Sequence, residues 1–324
     1  MSQLQYITSA QYALWDDFVE RSPQGAIYAK SWYLELLQCP FQLLAVIEGE
    51  RIIAGIVLSK NIRGDYGNPY LGKYLGVYYA DFAGNKYTQE TKRRKATQLL
   101  LTELVKLPTF DYFFHPSFDT YLPFYKKDFD NRLRYSYWIN LKSQSITEIE
   151  AKFHSKLRSE IKFAQKQNYQ LTEDISIATF YQICEQTFLQ KSAKFPFSLS
   201  FFEHYCQRLI DLEILKLMGI KNEKGQLMAA IGLLIRPKVT TLILSGMDKN
   251  YSQRGANELL IYEGIRLAKE KSNSFDFEGS MIAEIESFYR KFGGDFRPYM
   301  TVYKTTTKQF LIGQLRKWGR RFIG

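Results

Sequence analysis

The stretch SGMDKNYSQRGANELLIYEGIRLAKEKSNSFDFEGS, Ser245 to Ser280, reads as a strand, a loop, a helix and a second strand. In its last part Asp276 and Glu278 alternate with Phe275 and Phe277. On a continuous strand that alternation puts both carboxylates on one face and both rings on the other. Glu278, followed by Gly279 and Ser280, would stand at the strand's C-terminal end, where a carboxylate can take a proton from an amine directly or through water. The plainer account is an ion pair with a lysine of a neighbouring helix. The segment that follows, MIAEIESFYRKFGG, is a short helix closed by Gly293 and Gly294, with Phe288 and Phe292 one turn apart on its buried side. Tyr289, Arg290 and Lys291 lie on it, and the guanidinium of Arg290 suits a phosphate or carboxylate.

Working back toward the start, Ala10 to Glu20 and Trp32 to Leu37 carry apolar residues at helical spacing. Phe41–Ile47 and Arg51–Lys60, divided by Glu48–Glu50, read as a hairpin. A helix near Thr88–Lys106 and strands near Asp111–His115 and Leu133–Leu141 complete one mixed α/β unit. The same order returns later: helices at Ile177–Leu189 and Ser200–Ile210, then strands at Ile214–Ile220 and Gln226–Ile235. SWYLELL at Ser31 parallels SFFEHYC at Ser200, so a duplicated domain is expected. Between the copies, Ser145 to Asn168 reads as a single helix with Ile149, Phe153, Leu157, Ile161 and Ala164 on its apolar stripe.

The chain has 324 residues, room for about two domains, and 45% hydrophobic residues argue against disorder. Lys and Arg exceed Asp and Glu by 44 to 33, which favours anionic partners without choosing among nucleic acid, a phosphate-bearing donor and a lipid surface. Cys39, Cys184 and Cys206 form no CxxC pair and suggest neither a disulfide framework nor zinc. His115, His154 and His204 share no metal-ligand spacing, and no GxSxG or Walker sequence occurs. Covalent and metal mechanisms are thereby disfavoured. The N-terminus lacks a secretory pattern and no apolar run approaches the roughly 20 residues of a spanning helix. A cytoplasmic location, with any membrane contact peripheral and at the inner face, is expected.

Three segments resemble the FemABX-like branch of the GNAT (N-acyltransferase) superfamily: KLRSEIKFAQKQNYQL from Lys156, the Ser245–Ser280 stretch, and ESFYRKFGGDFRPYMTVYK from Glu286 to Lys304. The resemblance implies two tandem GNAT-like α/β domains, each with a mixed, mostly antiparallel sheet flanked by helices. Residues 1–144 would form the first and 145–304 the second, with a C-terminal helix at 305–324 returning to the first. It implies further that backbone N–H groups near Leu244–Met247 and the following helix start receive the donor, which brings in Ser245, Gly246, Arg254 and Gly255. Gly255 would allow close approach there, and an ordinary strand-to-helix turn explains it equally. Where relatives using transfer RNA carry lysine after phenylalanine, this chain has Tyr289 after Phe288, which leaves Arg290 or Lys291, out of register, as the candidates to stand in for that lysine. SQRGAN at Ser252–Asn257 supplies one glycine of the expected donor-binding set.

The implied activity is an N-acyltransferase moving an acyl or aminoacyl group to an amine of a cell-envelope or related precursor without a covalent enzyme intermediate. No permanently bound cofactor is implied, the donor being acyl-CoA or aminoacyl-tRNA. The acceptor would be a small-molecule or lipid-linked amine, contacted by Tyr251, Ser280 and Tyr299 in the cleft and by Tyr79 and Asp81 of the first domain. One alternative is a peptidoglycan-branching cell-wall aminoacyltransferase using charged tRNA; another is a non-catalytic protein that binds RNA or an anionic surface. The basic, amphipathic tail TTKQFLIGQLRKWGRRFIG suits packing on the first domain or contact with anionic lipid.

Overall fold

In the computed structural model, which describes residues 2–304, the chain begins with a strand, β1 (Ser2–Ile7), ahead of the expected helices α1 (Tyr12–Arg21) and α2 (Ser31–Leu36). The expected helix at 305–324 lies outside the described residues. Then come the hairpin β2 (Phe41–Glu48) and β3 (Arg51–Ser59), the short β4 (Tyr78–Tyr79), α3 (Lys86–Leu104), β5 (Phe110–Phe113), α4 (Leu122–Tyr125) and β6 (Asp130–Asn140). The chain continues through α5 (Ile146–Ala151), α6 (Ser155–Ala164), β7 (Gln170–Thr172), α7 (Ile177–Leu189) and α8 (Leu199–Asp211). It closes with β8 (Leu215–Lys221), β9 (Leu227–Leu234), β10 (Thr240–Met247), α9 (Ala256–Lys271), β11 (Ser274–Asp276), α10 (Ala283–Arg290) and β12 (Asp295–Lys304). Two compact units result among the described residues: one holds residues 2–134 and 298–304, the other Tyr135–Arg297.

In the first unit β1 to β4 form an antiparallel sheet in sequence order. The β2–β3 hairpin turns at Gly49, whose φ of 61° suits a two-residue loop. Trp15 anchors α1 to this sheet: it is fully buried, its indole N–H donates to Ala29 O at 2.7 Å, and its ring covers Gly55, where a Cβ would sit 2.5 Å from it. β5 pairs antiparallel with the end of β12, Thr301 opposite Phe113.

The second unit is a sheet in the order β7-β8-β9-β10-β11-β6, antiparallel except for the β10–β11 pair. On β9, Ile231 and Leu233 meet Gly264 of α9, while Gly232 between them meets Phe180 of α7, so α9 and α7 cover opposite faces. The core on the α9 side runs through Leu157, Ile161, Ile231, Leu260, Phe275 and Phe292. Helices α7 and α8 followed by strands β8 and β9 repeat the order α1, α2, β2, β3, as the sequence likeness suggests.

The single helix expected over Ser145–Asn168 is two. Ser145 opens α5 with a capping box to Glu148. After the helix ends, His154 takes φ −56°, ψ 141°, accepts from the Lys156 N–H, and donates its own N–H to Lys291 O at 2.8 Å. A tertiary hydrogen bond thus replaces the helical one, and the apolar stripe continues across the break with Ile149, Phe153 and Leu157 all buried.

Candidate active site

The two parallel strands of the second unit separate early. β10 and β11 pair only at Thr240–Phe275 and Thr241–Asp276; β11 then ends, while β10 runs on to Met247. A bulge in the β9–β10 ladder between Leu242 and Leu244 shifts the alternation. Gly246 consequently faces α7, where a Cβ would lie 2.7 Å from Ile183 backbone, and Ser245 turns to the face that carries α10. Beyond Thr241 this edge of β10 has no strand partner among the described residues, which leaves main-chain polar groups directed into the gap.

The carboxylates next to the gap do not share a strand face. β11 stops at Asp276, which is 2% exposed and whose Oδ1 accepts from Ser136 Oγ at 2.5 Å and from the Glu278 N–H at 2.7 Å. That second bond is an Asx turn that pulls the chain out of the strand. Glu278 and Gly279 then take left-handed conformations, φ 60° and 70°. Gly279 passes so close to β6 that a Cβ there would lie 2.3 Å from Tyr135 O. Asp276 is therefore a buried positioning group and Glu278 the half-buried one held at the turn. Ser280 carries the turn forward by accepting the Ile282 N–H at 3.0 Å.

Tyr289 comes to the same place from α10. The residue as a whole is half-buried, with its hydroxyl end inside, beside Ser245. Burial pushes its pKa up to about 12, with the Ser245 side chain opposing and the charge of Glu278 adding to it. Its ring stacks obliquely on Phe277 at 5.1 Å. Ser245, Glu278 and Tyr289 thus converge from β10, the turn after β11, and α10. One turn earlier, Glu286 accepts from Tyr137 Oη at 2.6 Å and pairs with Arg290 Nε at 3.2 Å. Burial, then the bond to Glu286, pushes Tyr137 also to about 12. Lys291 is half-buried and closes α10.

A neutral tyrosine is favoured in the folded protein at both positions, so this stability is complete below pH 10 and is lost as pH rises through about 12. For Tyr289 the loss amounts to about 2 kcal/mol. Urea midpoints measured across that alkaline range should fall, and fall less in Tyr289→Phe.

The start of α9 is built on α6. Gly255 is its N-cap at φ 75°, and a Cβ there would lie 2.4 Å from Glu160 O. Arg254 grips Glu160 through Nε at 2.7 Å and a second nitrogen at 3.3 Å, and lies over the Phe163 ring at 4.5 Å. That bond holds the Glu160 carboxyl below the usual carboxylate range. The fork expected to hold a donor is engaged by the protein itself. Tyr251, in the loop between β10 and α9, is 40% exposed. The remaining expected residues belong to the first unit. Tyr79 is buried with its hydroxyl 2.6 Å from Thr97 Oγ1, Asp81 is exposed after β4, and Tyr299 is buried edge-on to Tyr74 at 5.3 Å. Sequence reasoning missed Ser136, Tyr137, Glu160 and Glu286; a small hydroxyl between Tyr135 and Tyr137 on a strand was the one local signal for Ser136.

Residues 151–283 match the family described as "Acetyltransferase (GNAT) domain". Among solved structures the chain is similar to FemX, with 12% identity over 92% of this chain and 96% of that one, and a TM-score of 0.69. It is similar to L-PGS from Bacillus licheniformis, with 12% identity over 94% and 95% of the two chains and a TM-score of 0.53. A tandem GNAT protein from the clavulanic acid biosynthesis pathway gives 8% identity over 93% and 98%, with a TM-score of 0.51. No curated protein matches the sequence. Residues 151–283, around the separated strands, thus match a GNAT acetyltransferase domain, and the chain is FemX-like in fold over most of its length.

Proposed function

We propose that the chain transfers an acyl or aminoacyl group directly to an amine of a cell-envelope or related precursor, at the gap where β10 and β11 part. The observation that carries this reading is the convergence of Ser245, Glu278 and Tyr289 on the unpaired edge of β10. The amine nitrogen attacks the donor carbonyl carbon and the C–S bond of a thioester, or the C–O bond of an aminoacyl ester, breaks. Glu278 takes the proton of the amine. Main-chain N–H groups of β10 beyond Thr241 stabilise the oxyanion. The leaving sulfur or oxygen takes a proton from Tyr289, whose raised pKa keeps it a neutral donor at physiological pH. Asp276 acts through the Glu278 main chain and is a positioning residue.

Tyr289 in place of a cationic group favours a thioester donor, because a thiolate leaves with less need of charge assistance than an alkoxide does. A peptidoglycan-branching activity with charged tRNA is the second reading, favoured by the likeness to FemX. A screen of acyl-CoA esters and total aminoacyl-tRNA against amino sugars, diamines and muropeptides, read by mass spectrometry of acylated product, tests both. Product with acyl-CoA alone supports the first; product with tRNA alone supports the second; none with either overturns the proposal. Tyr289→Phe should lower kcat by about 10- to 100-fold with KM little changed, measured in steady state with the donor the screen selects.

A further inference from the structure

The C-terminal end of β10 is bordered by two loops whose composition differs from the rest of the unit. Thr187, near the end of α7, accepts the Met247 N–H at 2.9 Å, which places the α7–α8 connection beside the end of β10 and the loop that follows it. That connection is held from within by Phe195, 3% exposed, against Phe188, Tyr181 and Phe202 at 5.0, 5.2 and 5.7 Å. Tyr181 Oη reinforces the anchor by donating to Phe197 O at 3.0 Å. The outer residues are thereby fixed outward: Leu189 is 61% exposed, and Lys191 and Lys194 are exposed with no acidic residue between Gln186 and Phe197. Across the end of β10, Lys249 is exposed and Tyr251 40% exposed, in a turn closed by Asp248, whose Oδ1 accepts the Asn250 N–H and whose carbonyl accepts the Ser252 N–H.

We infer that this rim is a docking surface for an anionic lipid bilayer, which would deliver a bilayer-borne amine acceptor to the gap; that last clause rests on the proposed transfer site. Three lysines supply the charge complementarity, and an aliphatic side chain and a tyrosine stand among them. Leu189 would gain from hydrocarbon and Tyr251 from the headgroup layer. A polynucleotide offers Leu189 nothing, so lipid is favoured over RNA.

Amide hydrogen exchange on the full chain tests the inference, with vesicles of phosphatidylglycerol and phosphatidylcholine, vesicles of phosphatidylcholine alone, and deacylated bulk tRNA. Anionic vesicles should slow exchange at 187–196 and 247–252, neutral ones should not, and Lys191→Gln with Lys194→Gln should weaken vesicle affinity by about 20-fold, near fivefold per lysine. Transfer to a water-soluble amine should be unchanged in that variant, and because binding is read without turnover, failure of docking and failure of the transfer reading are separable. Vesicle binding without slowing in both segments, slowing by tRNA but not by vesicles, or a variant within about twofold of the parent would overturn it.

Discussion

Glu278→Gln is expected to lower kcat for acyl transfer by about 100- to 1000-fold while leaving the thermal midpoint within a few degrees of the parent. The two halves of that expectation have separate causes. Stability is conserved because the turn at Glu278 is made by main-chain geometry: its N–H is held by Asp276 Oδ1 at 2.7 Å, and glutamine keeps that N–H and nearly the same side-chain volume. Activity is lost because an amide cannot take the proton that the attacking nitrogen must shed. Steady-state rates, with circular dichroism melts as the folding control, decide it. A variant within threefold of the parent would remove Glu278 from the chemistry. Asp276→Asn is the informative companion, since an Asp276 that acts only by positioning should lower kcat less than Glu278→Gln does, with KM little changed.

What the sequence made legible follows the range of the interactions involved. The hairpin of β2 and β3 and the helices α7 and α8 were readable because periodicity and local turn residues determine them: Gly49 at the hairpin tip, and Ser176 and Ser198 accepting the N–H groups of Thr179 and Phe201. β1 was not readable, because it is an edge strand with Gln3 and Gln5 exposed and carries no apolar run; its pairing with β2 makes it a strand. The break at His154 was hidden for a related reason. Its apolar stripe stays in phase, and only the distant Lys291 carbonyl reveals that the helical bond has been exchanged.

The candidate site was half legible in the same sense. FDFEGS was recognisable as the place where a strand ends, and the alternation of Phe and carboxylate fits a strand continuing to Glu278. Ser136, on a strand far away in sequence, fixes the Asp276 carboxylate, and that carboxylate captures the Glu278 N–H and ends the strand two residues sooner. Likewise Tyr289 read as a substitution for lysine; that its hydroxyl meets Ser245 depends on the bulge near Leu242, which no local pattern announces. Arg254 read as part of a donor-receiving helix start, and its engagement by Glu160 was hidden because Glu160 lies on another helix.

Gly279→Ala should be the most damaging small substitution in the turn, costing about 3 kcal/mol or more and lowering transfer in step with the displacement of Glu278. Two effects add at this position. At φ 70° an alanine carries the left-handed penalty of about 1 kcal/mol. Its Cβ would also lie 2.3 Å from Tyr135 O and 2.8 Å from Ser136 Cα, both main-chain atoms of β6, which its pairing with β11 keeps from swinging aside. Relief requires the turn to move away from β6, which drags the Glu278 N–H off Asp276 and leaves a buried carboxylate short of a donor. Gly49→Ala isolates the first effect: φ there is 61°, and nothing lies within 4 Å of the Cβ position. Urea denaturation of the two variants should therefore separate conformational strain, near 1 kcal/mol at Gly49, from strain plus main-chain collision at Gly279. Equal losses would mean that the β6 contact yields freely, and that the turn holding Glu278 is soft instead of being fixed by the strand beneath it.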